Sequence, residues 1–295
     1  MDPIVRHGGR THCASPRHER PEGLGAQALH AVPSTLLIPL AARAGGGRNF
    51  PWLDCHDAHA AALLCGLGAD SQPYLADGAT VLNILWRTAL LKTWGRAFFA
   101  RHPDATGANL GCGLSTHFQW LDTGRNHWID ADLPEVAALR TALLPIQHPR
   151  WRNATVDLSQ PGWWHTLGLP PQNSAQPVLL LLEGVLMYLE PAQAQAVLRE
   201  FATEAPRGSL CLLDTLSHLA VGRAQHHPSV GPTGAQFRWG LHHPDELTAP
   251  HPRLQLQALR SVSECYGWAG WASETCWRPW LGAPLYGLAL LGLDD

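Results

Sequence analysis

The sequence predicts an α/β fold built on a doubly wound, mainly parallel sheet. Three observations predict it. Short apolar runs alternate with segments of helical period along most of the chain. One run, Val178-Leu179-Leu180-Leu181-Leu182, is apolar throughout, as a strand buried on both faces requires. A Gly-x-Gly turn and the acids Asp132, Asp157, Glu183 and Asp214 stand at the ends of predicted strands, where such sheets bind their ligands.

Residues 1–33, rich in Gly, Pro, His and Arg, show no apolar period and read as a disordered tail. Order is expected from Ser34, and residues 34–295 read as one domain. A loop at 45–49 precedes a helix over 54–64. Residues 81–100 predict a longer helix, because Leu82, Leu85, Trp86, Ala89, Leu90, Ala97 and Phe98 recur at helical steps, and His102-Pro103 ends it. Residues 106–110 form the first strand, 111–113 its turn, and 115–121 a helix. Residues 127–132 form the second strand, followed by a helix with Pro134 in its first turn. A weaker third strand covers 152–158, and the fourth is 178–182. A helix over 191–205 leads to the fifth strand at 209–214. Residues 215–255, rich in His, Pro and Gly, break the rhythm and read as a lid or substrate cap. Residues 285–292 read as a last strand, antiparallel at the sheet edge.

Composition narrows the function. The chain has 295 residues, 45% apolar and 15% charged, with a net charge of −3 and a single lysine, Lys92. That balance argues against a nucleic-acid face. No apolar run approaches the roughly 20 residues of a membrane span. The N-terminus MDPIVRHGGR lacks the apolar core of a secretory signal. Seven cysteines without a C-x-x-C pair suggest reduced thiols and a cytoplasmic protein. The paired histidines, His226-His227 and His242-His243, fit no metal-ligand spacing, and no metal is expected.

The glycine turn reads NLGCGLSTH over residues 109–117. Gly111 and Gly113 allow the backbone close approach to a ligand. A dinucleotide fingerprint needs a third glycine, and Thr116 stands there, which weakens a nicotinamide oxidoreductase reading. Asp132, with Asp130 as second candidate, suits ribose hydroxyls; its bland alternative is a helix cap. Asp157 and Leu158 close the third strand. Glu183 directly follows five apolar residues and needs a partner there. Arg87, within LNILWRTALL, is either a snorkelling surface residue or a fork for a carboxylate. Trp163, Trp164, Trp268, Trp271, Trp277 and Trp280 are core residues or the lining of an apolar pocket.

These stretches resemble the leucine carboxyl methyltransferase family, in its bacterial branch of polyketide O-methyltransferases. The matching segments are TLLIPLAARA (35–44), WRTALLKTWGRAFF (86–99), NLGCGLSTHFQWL (109–121), WIDADLPEVAALR (128–140), VDLSQPGW (156–163), LLLLEGVLMYLEP (179–191) and FRWGLHHPDEL (237–247). The resemblance covers roughly residues 34–293. It implies a class I methyltransferase with a Rossmann-like sheet of about seven strands, using S-adenosyl-L-methionine. On that resemblance, Arg87 grips the methionine carboxylate, with Arg43 as a second contact. Gly111 and Gly113 pass under methionine and ribose, and Asp132 or Asp130 holds the ribose. Asp157 and Leu158 flank the adenine, and Glu183 lies near the amino group or ribose. The pattern departs at Ser115-Thr116-His117, where the family usually has an arginine.

The function expected is O-methylation of a small-molecule carboxylate or hydroxyl by in-line displacement, with a polyketide-like acceptor as one case. A carboxylate is already ionised near neutrality and needs only placement, whereas a phenol benefits from a base. His218, His242 and His243 are base candidates. A protein C-terminal carboxyl methyltransferase and a non-catalytic cofactor-binding protein remain as alternatives.

Overall fold

The computed structural model describes residues 34–144 and 148–294. The expected disordered tail lies outside them. Seven strands form one sheet: β1 (Thr106–Leu110), β2 (His127–Asp132), β3 (Trp151–Thr155), β4 (Val178–Leu182), β5 (Leu210–Leu216), β6 (Leu254–Ser261) and β7 (Tyr286–Leu293). Their order is β3-β2-β1-β4-β5-β7-β6. The first five run parallel, and β7 lies antiparallel to both β5 and β6. The order reverses between β1 and β4, and that reversal opens the ligand crevice at the carboxyl ends of the strands.

Alternation along the strands explains why both faces are covered. In β4, Leu179 and Leu181 point to a cluster with Phe98, Phe99, Phe118 and Trp128. Val178, Leu180 and Leu182 point to the other, with Trp164, Leu198 and Phe201. The first cluster includes residues of helix α3 (Gly78–Arg101), the second those of α5 (Pro191–Glu204). Helices α1 (Ser34–Gly45) and α2 (Ala58–Leu67) pack together over the turn after β1, with Leu114 in their apolar cluster. Helix α4 (Pro134–Leu143) follows β2, and α6 (Gly267–Leu281) precedes β7.

Local chemistry sets the boundaries. Asp57 caps α2 by accepting from the Ala60 N–H, so the helix begins later than the apolar pattern alone suggests. Asp77 caps α3 in the same way, through Thr80 N–H. Pro191 opens α5 behind a reciprocal cap between Glu190 and Gln193.

Two expectations need correction. The helix expected over 115–121 is a single turn, Phe118–Leu121, because Ser115 and Thr116 turn their side chains onto neighbouring polar groups. The last strand is antiparallel but not at the edge; β6 lies outside it. Residues 254–261, LQLQALRS, alternate apolar and polar until a bulge between Leu256 and Ala258 breaks the period. Helix α6, with Pro279 inside it and Trp268, Trp271, Trp277 and Trp280 exposed, has no single apolar face to read. Trp163 and Trp164 are core residues. Among the described residues, no helix is long and apolar enough to cross a membrane.

Candidate active site

A cavity of about 1150 Å³ opens at the carboxyl ends of β1, β2 and β4. Single small-molecule sites run to roughly 1,000 Å³, so the space fits two ligands side by side. Arg87, Gly111, Gly113, Asp132, Asp157, Leu158 and Glu183 all line it, so the topology brings these predicted residues together. Asp130 does not line it.

The floor is the glycine turn. Gly111 and Gly113 have φ of +63° and +51°. A Cβ on Gly111 would stand 2.5 Å from Val185 Cγ2. Gly111→Ala is therefore expected to cost about 1–2 kcal/mol in backbone strain alone, before the clash. Thermal melting beside a cofactor titration checks it, and an unchanged melting temperature contradicts the assigned backbone. Asp132 follows the turn on the next strand. Its carboxylate accepts from Gly113 N (2.7 Å) and Leu133 N (2.8 Å), so it is both a local cap and a cavity acid. Burial raises its pKa, against the two backbone donors. Asp157 is exposed at the rim, its pKa lowered by hydrogen bonds from Ser159. Leu158 beside it is buried and apolar.

Asp130 is wholly buried beneath the turn. It accepts from Arg140 Nη2 (2.5 Å), Asn109 Nδ2 (3.0 Å), Trp128 Nε1 (3.0 Å) and Trp151 Nε1 (2.6 Å). Arg140 in turn donates through Nη1 to the Gly113 and Ser115 carbonyls, at 3.0 and 2.5 Å. The pair braces the turn from behind. Its place on β2, two residues before Asp132, made it look like a second ribose acid; side-chain packing around the strand, invisible in sequence, uses up its acceptors.

An ion cluster closes the wall between β4 and α3. Arg87 donates from Nε to Glu183 Oε1 (2.7 Å) and from Nη1 to Asp214 Oδ2 and Tyr286 Oη (2.9 Å each). It is no surface arginine. His117 Nε2 lies 2.5 Å from Glu183 Oε2. Arg43 Nη1 stands 4.0 Å from Glu183, while its Nε donates to Asp57. Burial pushes the Glu183 carboxyl up, but Arg87, His117 and Arg43 together outweigh it and hold the group well below the usual carboxylate range. Asp214 goes the other way: burial raises it despite Arg87 and the Gly184 N–H.

Sequence reasoning named Arg43, Arg87 and Glu183 and set Asp214 at a strand end, but missed that Asp57, His117 and Tyr286 complete the cluster. The one signal on offer was position. His117 follows the glycine turn, and Asp214 follows a run of apolar residues in the fifth strand, which continues to Leu216. The lid histidines need correction as bases. His218, His242 and His243 lie off the cavity lining, and the first two stack on each other with centroids 4.0 Å apart. His227 does line the cavity, but its Nδ1 accepts from Ser229 N and Val230 N.

The chain resembles known proteins. A family model described as leucine carboxyl methyltransferase matches residues 76–202, from the cap of α3 to α5. Over 235 residues the chain is 30% identical to the tetracenomycin polyketide synthesis O-methyltransferase TcmP of Streptomyces glaucescens, covering 79% of this chain and 84% of that one. The chain belongs to the leucine carboxyl methyltransferase family. It is an S-adenosylmethionine-dependent methyltransferase with the class I fold. A further member-like relative, the S-adenosyl-L-methionine-dependent methyltransferase dpfgK of Gibberella zeae, is 26% identical, with 83% of this chain and 87% of that one covered. A solved structure from Thermobifida fusca, described as a methyltransferase, superposes with a TM-score of 0.55 at 15% identity, covering 91% and 98% of the two chains. That likeness bears on the fold alone. The family match spans the glycine turn, Asp132, Asp157 and Glu183; Asp214 and Tyr286 join the site from outside it.

Proposed function

We propose that this methyltransferase transfers a methyl group to an oxygen of a small-molecule acceptor, and that the oxygen belongs to a carboxylate. The observation that carries the reading is the cavity itself. One half is the polar floor at the strand ends, and the other is lined by apolar and aromatic side chains such as Ile84, Tyr188, Val230 and Phe237. Two-ligand volume with that division suits a polar donor beside an apolar acceptor.

The donor half fits S-adenosylmethionine on grounds of its own. Gly111 and Gly113 line the cavity at positions where a Cβ would run into Val185 or Leu36, so the bare backbone of the turn forms the floor. Asn109, buried beside it, donates from Nδ2 to Ser115 and Asp130, while its Oδ1 has no partner among the described residues. Asp132 would hold the ribose hydroxyls, Asp157 and Leu158 the adenine, and Arg87, Arg43 and Glu183 the amino-acid end. When bound, the cofactor supplies the methyl group from its sulfonium. The chain's own part is to align the acceptor oxygen, exclude water and hold the charged ends still.

The carboxylate preference follows from proton bookkeeping. The cavity's histidine, His227, already spends Nδ1 on two backbone donors, which leaves Nε2 protonated in the neutral ring and facing Thr80 Oγ1 at 3.5 Å. It is a donor, not a base. A carboxylate acceptor needs no base. Residues 215–255 serve in this reading as the acceptor cap: Ala220, His227, Val230 and Phe237 come from them. A free small molecule, within the cytoplasm, is the partner proposed, rather than a protein tail.

Asp132→Ala is expected to weaken binding of S-adenosylhomocysteine about 10- to 100-fold, the size of one or two hydrogen bonds to a charged group. Calorimetric titration reads it. An unchanged affinity would remove the ribose role from Asp132. For the acceptor, matched aromatic acids and phenols are incubated with the donor. Methyl esters, which mild alkali cleaves, are the expected products; alkali-stable ethers would overturn the carboxylate reading.

A further inference from the structure

Helix α3 turns one side to the cavity. Thr80, Asn83, Ile84 and Arg87 line it, at the i, i+3, i+4 and i+7 positions of a single helical face. Two polar members of that face are already engaged. Thr80 Oγ1 donates to Asp77 Oδ2 (2.7 Å) and lies 3.5 Å from His227 Nε2 of the cap. Arg87 donates to Glu183, Asp214 and Tyr286. Asn83 stands between them, half-buried, and its side-chain amide has no hydrogen-bond partner among the described residues.

Position sets what that amide can reach. A helix rises about 1.5 Å per residue, so Asn83 lies about 6 Å along the axis from Arg87 and about 4.5 Å from Thr80. Arg87 belongs to the ion cluster of the donor half, and Thr80 faces the cap. Ile84, beside Asn83, packs in one apolar cluster with Tyr188, Val230 and Phe237 of the acceptor wall. Asn83 therefore sits where the two halves of the cavity meet, and the reacting oxygen has to lie at that junction.

We propose that the Asn83 amide holds the acceptor's carboxylate at the junction: Nδ2 donates to one carboxylate oxygen and leaves the other to take the methyl group. The proposal rests on the carboxylate reading above. A carboxylate offers acceptors only, so the amide meets it with its NH2 and not with Oδ1.

A neutral amide suits this transfer better than a cation does. As the oxygen–methyl bond forms, the methyl–sulfur bond breaks and its electron pair stays on sulfur. The carboxylate becomes a neutral ester, the sulfonium becomes a neutral thioether, and no proton moves. A guanidinium paired with the carboxylate would stabilise the charge that the reaction consumes, and so favour the ground state over the transition state. An amide orients the group and holds that charge less tightly. The cavity's arginines are engaged with carboxylates of the chain itself. Arg43 faces Asp57 and Glu183, Arg87 faces Glu183 and Asp214, and Arg278, exposed on α6, stands 3.7 Å from Glu274.

The test compares the wild type with Asn83→Leu, which keeps the volume and removes the amide, on an acid that the wild type esterifies. KM for the acid is expected to rise about 10- to 100-fold, the loss of one hydrogen bond to a charged group, with kcat at saturation changed by less than about threefold. Two other readings are expected to stay put: S-adenosylhomocysteine affinity by calorimetric titration, and inhibition by the same ring system without its carboxyl. Disturbed packing would weaken all three together. Asn83→Ala, a change to the best helix former, is expected to give the same pattern. An unchanged KM for the acid in both variants would overturn the proposal and leave the carboxylate reading standing. A fall in S-adenosylhomocysteine affinity as large as the rise in KM would also overturn it, by moving Asn83 to the donor half. A wild type that forms only alkali-stable ethers would overturn the carboxylate reading itself, and this proposal with it.

Discussion

Arg87→Met is expected to destabilise the fold by about 3–5 kcal/mol, the cost of removing one partner from a buried ion cluster. Arg87 is 8% exposed, and its guanidinium neutralises Glu183 and Asp214 together. Methionine fills much of the volume but leaves two buried carboxylates facing each other. Urea denaturation checks the loss. The double variant Arg87→Met with Glu183→Gln is expected to recover part of it, because one stranded charge is gone. A single variant within about 0.5 kcal/mol of wild type would show that the cluster is solvated in solution.

The deficit should also depend on pH, with a definite sign. Burial already raises Asp214 above its ordinary value, and losing Arg87 raises it further. In the variant the native state then binds more protons than the unfolded state between the two pKa values. Stability falls as pH rises through that window and is regained toward acid. Glu183 resists this, since His117 and Arg43 still face it. The variant is expected to lie nearer to wild type at pH about 5 than at about 7. A gap that widens toward acid would move the unpaired charge to another residue.

How much of this was legible in the sequence depends on what each residue answers to. Strand β4 could be read to the residue because its apolar run is set by burial on both faces, and β1 and β2 because a glycine turn and a Leu-Pro helix opening end them. The edge could not, because β6 is bulged and begins inside the segment read as a lid, so the nearly continuous apolar run of β7 was taken for the last strand of the sheet. Asp132 and Glu183 were legible since a carboxylate directly after an apolar strand needs a reason to be there. His117 was not. Its partner lies 66 residues away, and only the placement of β4 beside β1 brings the two together. Asp130 was legible as an anomaly but given the wrong job. Sequence spacing places it on the same face as Asp132, while the fork of Arg140, reaching from the next helix, decides what it does.

That fork yields a second expectation of comparable size. Arg140→Met is expected to cost about 3–5 kcal/mol of stability, since both partners are fully buried and Asp130 is left with an unpaired charge. It should also weaken S-adenosylhomocysteine binding, because the Gly113 and Ser115 carbonyls lose the Nη1 donor that holds the turn in place. Stability and binding can be separated by the shape of the cation. Lysine carries the same charge as a compact point, without arginine's planar array of donors. In Arg140→Lys the ammonium can still compensate Asp130, but it cannot serve that carboxylate, Asn153 and two backbone carbonyls together. Urea midpoints should then recover in large part while the binding deficit stays. If binding recovers in step with stability, charge compensation alone holds the turn, and the guanidinium geometry contributes nothing to the donor site.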